Sequence, residues 1–126
     1  MSRVTTVAVI DVGSNSVRLL GVRSLSPQAF ERGVRAVRIM SQLAASYGPG
    51  ITVTVGTEAL RRAPNAPAFL ERVREETGTT IRILSGYEEA FCGFLGVVNS
   101  TTLRDGRLLD IGGGSLELMR IEDRRL

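Results

Sequence analysis

The chain has 126 residues, 43% apolar and 23% charged, which suits one domain with a core of its own and argues against disorder. It holds no histidine and no lysine: all 16 basic residues are arginine, against 13 acids, for a net charge of +3. These absences exclude Ser-His-Asp and Cys-His catalysis, histidine metal sites and the Walker P-loop, and leave a carboxylate as the general base. The lone cysteine, Cys92, allows neither an internal disulfide nor a cysteine-built zinc site. With no signal-peptide pattern and no apolar run of ~20 residues, the expected compartment is the cytoplasm and no membrane partner is expected. The arginines are scattered among acids with few aromatics between them, so no specific nucleic-acid partner is expected either.

In chain order, Val4 to Ile10 is rich in β-branched residues and reads as a buried strand. Asp11 to Ser16 is a polar turn, and Val17 to Val22 reads as the returning strand of a hairpin. Ser26-Pro27 starts a helix, with Ser26 as N-cap and Pro27 at the first helical position. Phe30, Val34, Val37, Met40 and Ala44 recur at helical spacing as one buried face, and Gly48-Pro49-Gly50 stops the helix. Ile51 to Val55 is a strand, followed by a short helical stretch near Ala59 to Ala63 and a helix from about Ala68 to Thr77 ending at Gly78. Thr80 to Leu84 is a further strand. Ser85 caps a helix over Tyr87 to Val98, with Ala90, Phe91, Phe94, Leu95 and Val98 facing inward. Leu108 to Ile111 and Leu116 to Ile121 flank a triple-glycine turn as a second hairpin. The order ββαβααβαββ predicts an α/β fold with helices on a mostly parallel sheet.

Four segments carry chemistry-bearing residues. Asp11, Gly13, Ser14, Asn15, Ser16 and Arg18 form a turn whose backbone N–H groups suit an anion, although a polar hairpin turn has the same look. Asp110 to Ser115, with Glu117 beyond it, echoes that turn: an aspartate ends an apolar strand, and glycines let the backbone approach a ligand. Two strand-end aspartates facing one cleft suit Mg²⁺ held largely through water. Ser85 to Ala90 carries Glu88 and Glu89, which either complement a helix dipole or activate a water. Thr57, Arg61, Arg62 and Asn65 follow a strand end, where an inward arginine would clamp a phosphate and an outward one would be solvated.

Together these segments resemble the exopolyphosphatase / guanosine-pentaphosphate phosphohydrolase family of the actin-like ATPase superfold. Val9-Ile-Asp-Val-Gly-Ser-Asn-Ser-Val-Arg18 matches its first phosphate motif, and Asp110-Ile-Gly-Gly-Gly-Ser-Leu-Glu-Leu118 is close to its second. Gly56-Thr-Glu-Ala-Leu-Arg-Arg-Ala-Pro-Asn65 and Leu84-Ser-Gly-Tyr-Glu-Glu-Ala90 look like two further family segments. The resemblance implies a ribonuclease-H-like (actin-like ATPase) first domain over residues 1–100, shortened after residue 22, and the opening hairpin of a second domain over 101–126. It implies Mg²⁺-dependent release of terminal phosphate from polyphosphate or guanosine pentaphosphate. Glu89 would be the base that activates water, and Asp11, Asp110 and Glu117 would organise Mg²⁺ and the attacked phosphate. Gly13, Ser14, Asn15, Arg18, Arg61, Gly112, Gly113, Gly114 and Ser115 would bind phosphate.

Several positions depart from the family pattern. Leu116 replaces a threonine beside the second phosphate turn, Phe91 replaces an arginine, and Glu58 replaces a serine, placing a negative charge near Arg61. The connection between Val22 and Ser26 is short where the family has a further strand. A non-catalytic phosphate-binding module is the alternative function, and an actin-like kinase or ATPase a third, which the Ser-Gly-Tyr-Glu-Glu-Ala segment fits poorly. The apolar residues of the second hairpin need covering, so a homo-oligomer is expected.

Overall fold

The computed structural model describes residues 6–13, 24–112 and 115–126. Strands β1 (Val7–Val12), β2 (Ile51–Gly56) and β3 (Arg82–Ile83) form a parallel sheet in that spatial order. The register pairs Val9 with Val53, Asp11 with Val55 and Val55 with Arg82. Strand alternation then divides the residues between two faces. Ile10, Val12 and Thr54 are buried beneath helices α1 (Pro27–Ser46) and α3 (Ala66–Thr77), whereas Val7, Val9, Ile51 and Val53 lie exposed on the opposite face. Phe69 is fully buried and meets Phe30 edge-on at a centroid distance of 5.4 Å. The returning strand expected over Val17 to Val22 lies outside the described residues.

The expected helix signals act as read. Ser26 Oγ accepts from the Ala29 N–H at 3.2 Å, Pro27 opens α1, and Gly48 follows its end with φ +58°. Met40, expected inward, is instead 44% exposed, because this part of α1 overhangs β1, the outer strand of the sheet among the described residues. Helix α3 starts at Ala66 rather than near Ala68, since Pro67 falls in the first turn, where its missing N–H has no intrahelical partner to lose. The strand expected over Thr80 to Leu84 shrinks to two paired residues. Ile81 and Leu84 are buried there, and β2 ends at Gly56, leaving a single further bond from the Leu84 N–H to the Gly56 carbonyl at 2.8 Å. A Cβ on Gly56 would lie 2.6 Å from Leu60 Cδ1 and 3.2 Å from Ile81 Cγ2, so a larger residue at this strand end would have to push the buried Leu60 of the short helix α2 (Glu58–Arg62) aside.

Helix α4 (Gly86–Ser100) begins with a reciprocal capping box between Ser85 and Glu88. Strands β4 (Gly106–Ile111) and β5 (Leu116–Ile121) pair antiparallel as a separate two-stranded sheet. Met119 and Ile121 are buried against Phe94 and Val98 of α4, so one hairpin face is covered within the chain. Leu109, Ile111, Leu116 and Leu118 remain exposed on the other. Phe91 and Leu95, expected inward, are also exposed, because the hairpin covers only one side of α4. Phe91 stacks on Tyr87 and meets Phe94 at a tilt. Beyond β5, Asp123 and Arg124 turn back with positive φ, and Arg124 donates to the carbonyls of Val98, Thr101 and Leu103, tying down the end of α4.

Candidate active site

A cavity of about 580 Å³ opens over the uncovered face of the three-stranded sheet, reaching the carboxyl ends of its strands. This is where open parallel sheets place their ligands. Strand alternation aims Val9 and Asp11 of β1, and Val53 and Val55 of β2, into it. Gly13 and Thr57 follow at the two strand ends, and Glu89 and Cys92 enter from one face of α4. Asp110, Gly112 and Ser115 close the far side from the hairpin turn. The Gly112 N–H donates to the Ser115 carbonyl at 3.0 Å, joining the two strand ends.

Six of the expected site residues therefore share one cavity: Asp11, Gly13, Glu89, Asp110, Gly112 and Ser115. Glu117 sits directly opposite Asp110 in the antiparallel ladder. Arg61 stands behind the cavity wall, where its Nη1 donates to the Leu84 carbonyl at 2.6 Å and to Glu89 Oε2 at 3.1 Å. Its Nη2 donates to Glu58 Oε2 at 2.5 Å. Ser14, Asn15, Arg18, Gly113 and Gly114 lie outside the described residues. Asn65 does not reach the site: its side-chain amide exchanges two 2.9 Å hydrogen bonds with the backbone of Leu25.

The two adjacent glutamates have opposite environments. Glu88 accepts from the Ser85 backbone N–H and from Arg82, which together hold its carboxyl down at about 2, as expected of a capping acid. Burial pushes the Glu89 carboxyl above the ordinary value; Arg61 opposes that shift, while the negative charges of Glu117 and Glu58 add to it. Burial also disfavours the Arg61 charge, but the hydrogen bonds to Glu89 and Glu58 outweigh it and the guanidinium holds its proton more firmly than usual.

Gly93 is a contributor that sequence reasoning missed. A Cβ at this position would lie 3.1 Å from Asp110 Oδ2, so its absence lets the hairpin aspartate close on α4. The available signal was its place one turn beyond Glu89 on the same helical face, with Cys92 beside it. Among the described residues, no group of three or more acidic, cysteine or histidine side chains is arranged to cage a metal. Asp11 and Asp110 line the same cavity and are the ligand type that Mg²⁺ takes one or two of while waters and phosphate oxygens complete its shell.

A mostly parallel sheet flanked by helices, with strand ends meeting at an acid-lined cleft, defines the α/β architecture of the actin-like fold. Within that class, the chain belongs to the Ppx/GppA phosphatase family, whose model matches residues 11–126. Among solved structures it is similar to the PPX-GPPA enzyme of Aquifex aeolicus, at 24% identity and TM-score 0.80 over 94% of this chain and 49% of that one. It is similar in fold to an exopolyphosphatase from Cytophaga hutchinsonii, at 18% identity and TM-score 0.87 over 94% of this chain and 47% of the other. An exopolyphosphatase-like protein matches at 27% identity and TM-score 0.81, over 94% of this chain and 46% of its own. The chain spans about half the length of these relatives.

Proposed function

We propose that this chain carries the water-activating and phosphate-facing residues of a phosphoanhydride hydrolase that releases terminal phosphate from polyphosphate or guanosine pentaphosphate. The observation that carries this reading is Glu89: a carboxylate of raised proton affinity in the same cavity as Asp11 and Asp110. A base needs proton affinity as well as access, and Glu88, one residue away, is held in a helix cap with its affinity lowered. Phosphoryl transfer asks the protein for positioning and charge stabilisation more than for covalent chemistry. Glu89 accepts the proton of the attacking water, with Arg61 holding the carboxylate in place. Gly13, Gly112 and Ser115, with Ser14, Asn15, Arg18, Gly113 and Gly114, bind the phosphate oxygens, and Glu117 orients the attacked group. Asp11 and Asp110 would hold Mg²⁺, which when bound offsets charge on the phosphoryl oxygens.

Residues 1–100 are read as the first domain and 101–126 as the opening hairpin of a second. The exposed Leu109, Ile111, Leu116 and Leu118 favour association with another copy of the chain. A cytoplasmic site of action is part of the same reading. Because the chain spans about half of its solved relatives, a phosphate-binding module without turnover is the second reading. The test is phosphate release from polyphosphate and from guanosine pentaphosphate, with and without Mg²⁺. Mg²⁺-dependent release from either supports the hydrolase, and binding without release supports the module.

A further inference from the structure

Glu58 is the least expected charge in the cavity wall. Its carboxylate is largely buried, with 17% of the side chain exposed, and both oxygens are engaged: Oε2 by Arg61 Nη2 at 2.5 Å and Oε1 by Arg62 Nη1 at 3.1 Å. Arg61 in turn has Nη1 on the Leu84 carbonyl and on Glu89. The guanidinium therefore lies between two carboxylates, with both Nη1 and Nη2 engaged, and Glu58 rather than Arg61 lines the cavity. A phosphate oxygen approaching Arg61 meets the negative charge of Glu58 first, and it gains a strong charge-assisted bond only where that carboxylate gives way.

We propose that Glu58 is a positioning residue acting through Arg61: it holds the guanidinium against Glu89 and occupies the place a phosphate oxygen would otherwise take. This rests on the functional reading above. Phosphate then engages Arg61 by displacing Glu58, so the chain exchanges affinity for a fixed Arg61–Glu89 geometry. Removing the Glu58 charge should tighten phosphate binding while loosening the hold on Glu89. Where turnover is measurable, KM and kcat should fall together.

The direct test is calorimetric titration of the 126-residue chain with sodium tripolyphosphate, comparing the wild type with Glu58→Ser, Glu58→Gln, Arg61→Ala and the double variant Glu58→Ser/Arg61→Ala. Glu58→Gln keeps the side-chain volume and carries the test if Glu58→Ser does not fold by circular dichroism. Both Glu58 variants are expected to bind about tenfold more tightly, the scale of one charge-assisted hydrogen bond. Arg61→Ala should bind more weakly, and the double variant no more tightly than Arg61→Ala alone, because the gain runs through the guanidinium. A gain that survives the loss of Arg61 overturns the inference. So does no gain in either Glu58 variant while Arg61→Ala still weakens binding, and the functional reading then stands without it. Tripolyphosphate bound by none of the five chains overturns both.

Discussion

Asp11 lies next to the end of a strand that pairs with β2 in a sheet covered by helices on one face, whereas Asp110 lies next to the end of a strand with β5 as its partner in a two-stranded sheet. Both aspartates follow an aliphatic residue and precede an aliphatic residue and a glycine, but their supports differ. Behind Asp11, Ile10 and Val12 join a core with Phe69, Val73 and Leu60. Behind Asp110 the hairpin rests on four buried side chains, Phe94, Val98, Met119 and Ile121. One motif can thus be carried by scaffolds of unequal strength, and α4 links them: it presents Glu89 and Cys92 to the cavity and gives the hairpin its only large apolar contact among the described residues. A site assembled across such a pair should lose its second aspartate before its first when the chain is stressed.

The largest expected effect sharpens that contrast. Phe69→Ala should cost about 3–5 kcal/mol and lower the melting of the whole chain, whereas Met119→Ala should cost about 2 kcal/mol. Hydrogen exchange should localise the second loss to β4 and β5; equal loss of protection in β1 and β2 would break the distinction. Next comes the glycine pair of α4. Gly93→Ala should cost about 1–2 kcal/mol in a thermal melt, because its new Cβ would crowd Asp110. Gly96→Ala, with open space at its Cβ, should stabilise by up to ~1 kcal/mol. The smallest effect is on the acid limb of stability. The lowered carboxyl of Glu88 contributes stability that is complete above its unfolded value near 4.5 and lost as pH falls towards about 2. Glu88→Gln should flatten that stretch of the curve. Glu89 has the opposite sign: its raised carboxyl disfavours the folded state at neutral pH, and acid relieves that cost as the group protonates. Stability measured from pH 2 to 7 for the two Gln variants separates them.

Much of the fold is legible because its signals are local. Ser26-Pro27, Gly78 and the Ser85–Glu88 box mark helix ends through hydrogen bonds that a few adjacent residues decide. Long-range packing is less so. The exposure of Met40, Phe91 and Leu95 depends on how far the neighbouring sheet and hairpin extend, which helical periodicity does not encode. The same division holds for the site. The aspartate turns and the Glu-Glu pair are visible as spacings, and the family resemblance singles out Glu89; what the structure adds is that Glu88 is taken up in the cap. Glu58 shows as a charge near Arg61, and only the three-dimensional path of Arg61 ties it to Glu89 as well. Asn65 shows the reverse: a side chain that sequence position associates with the site is used to hold the backbone of Leu25.

The most direct test of Glu89 as the base is phosphate release from polyphosphate by the wild type, Glu89→Gln and Glu88→Gln, with tripolyphosphate binding measured alongside. Removal of the proton acceptor should lower release by about 10²–10⁴-fold in Glu89→Gln while binding stays within a few fold, and Glu88→Gln should release phosphate at close to the wild-type rate. Release that survives in Glu89→Gln, or that falls further in Glu88→Gln, would contradict the assignment.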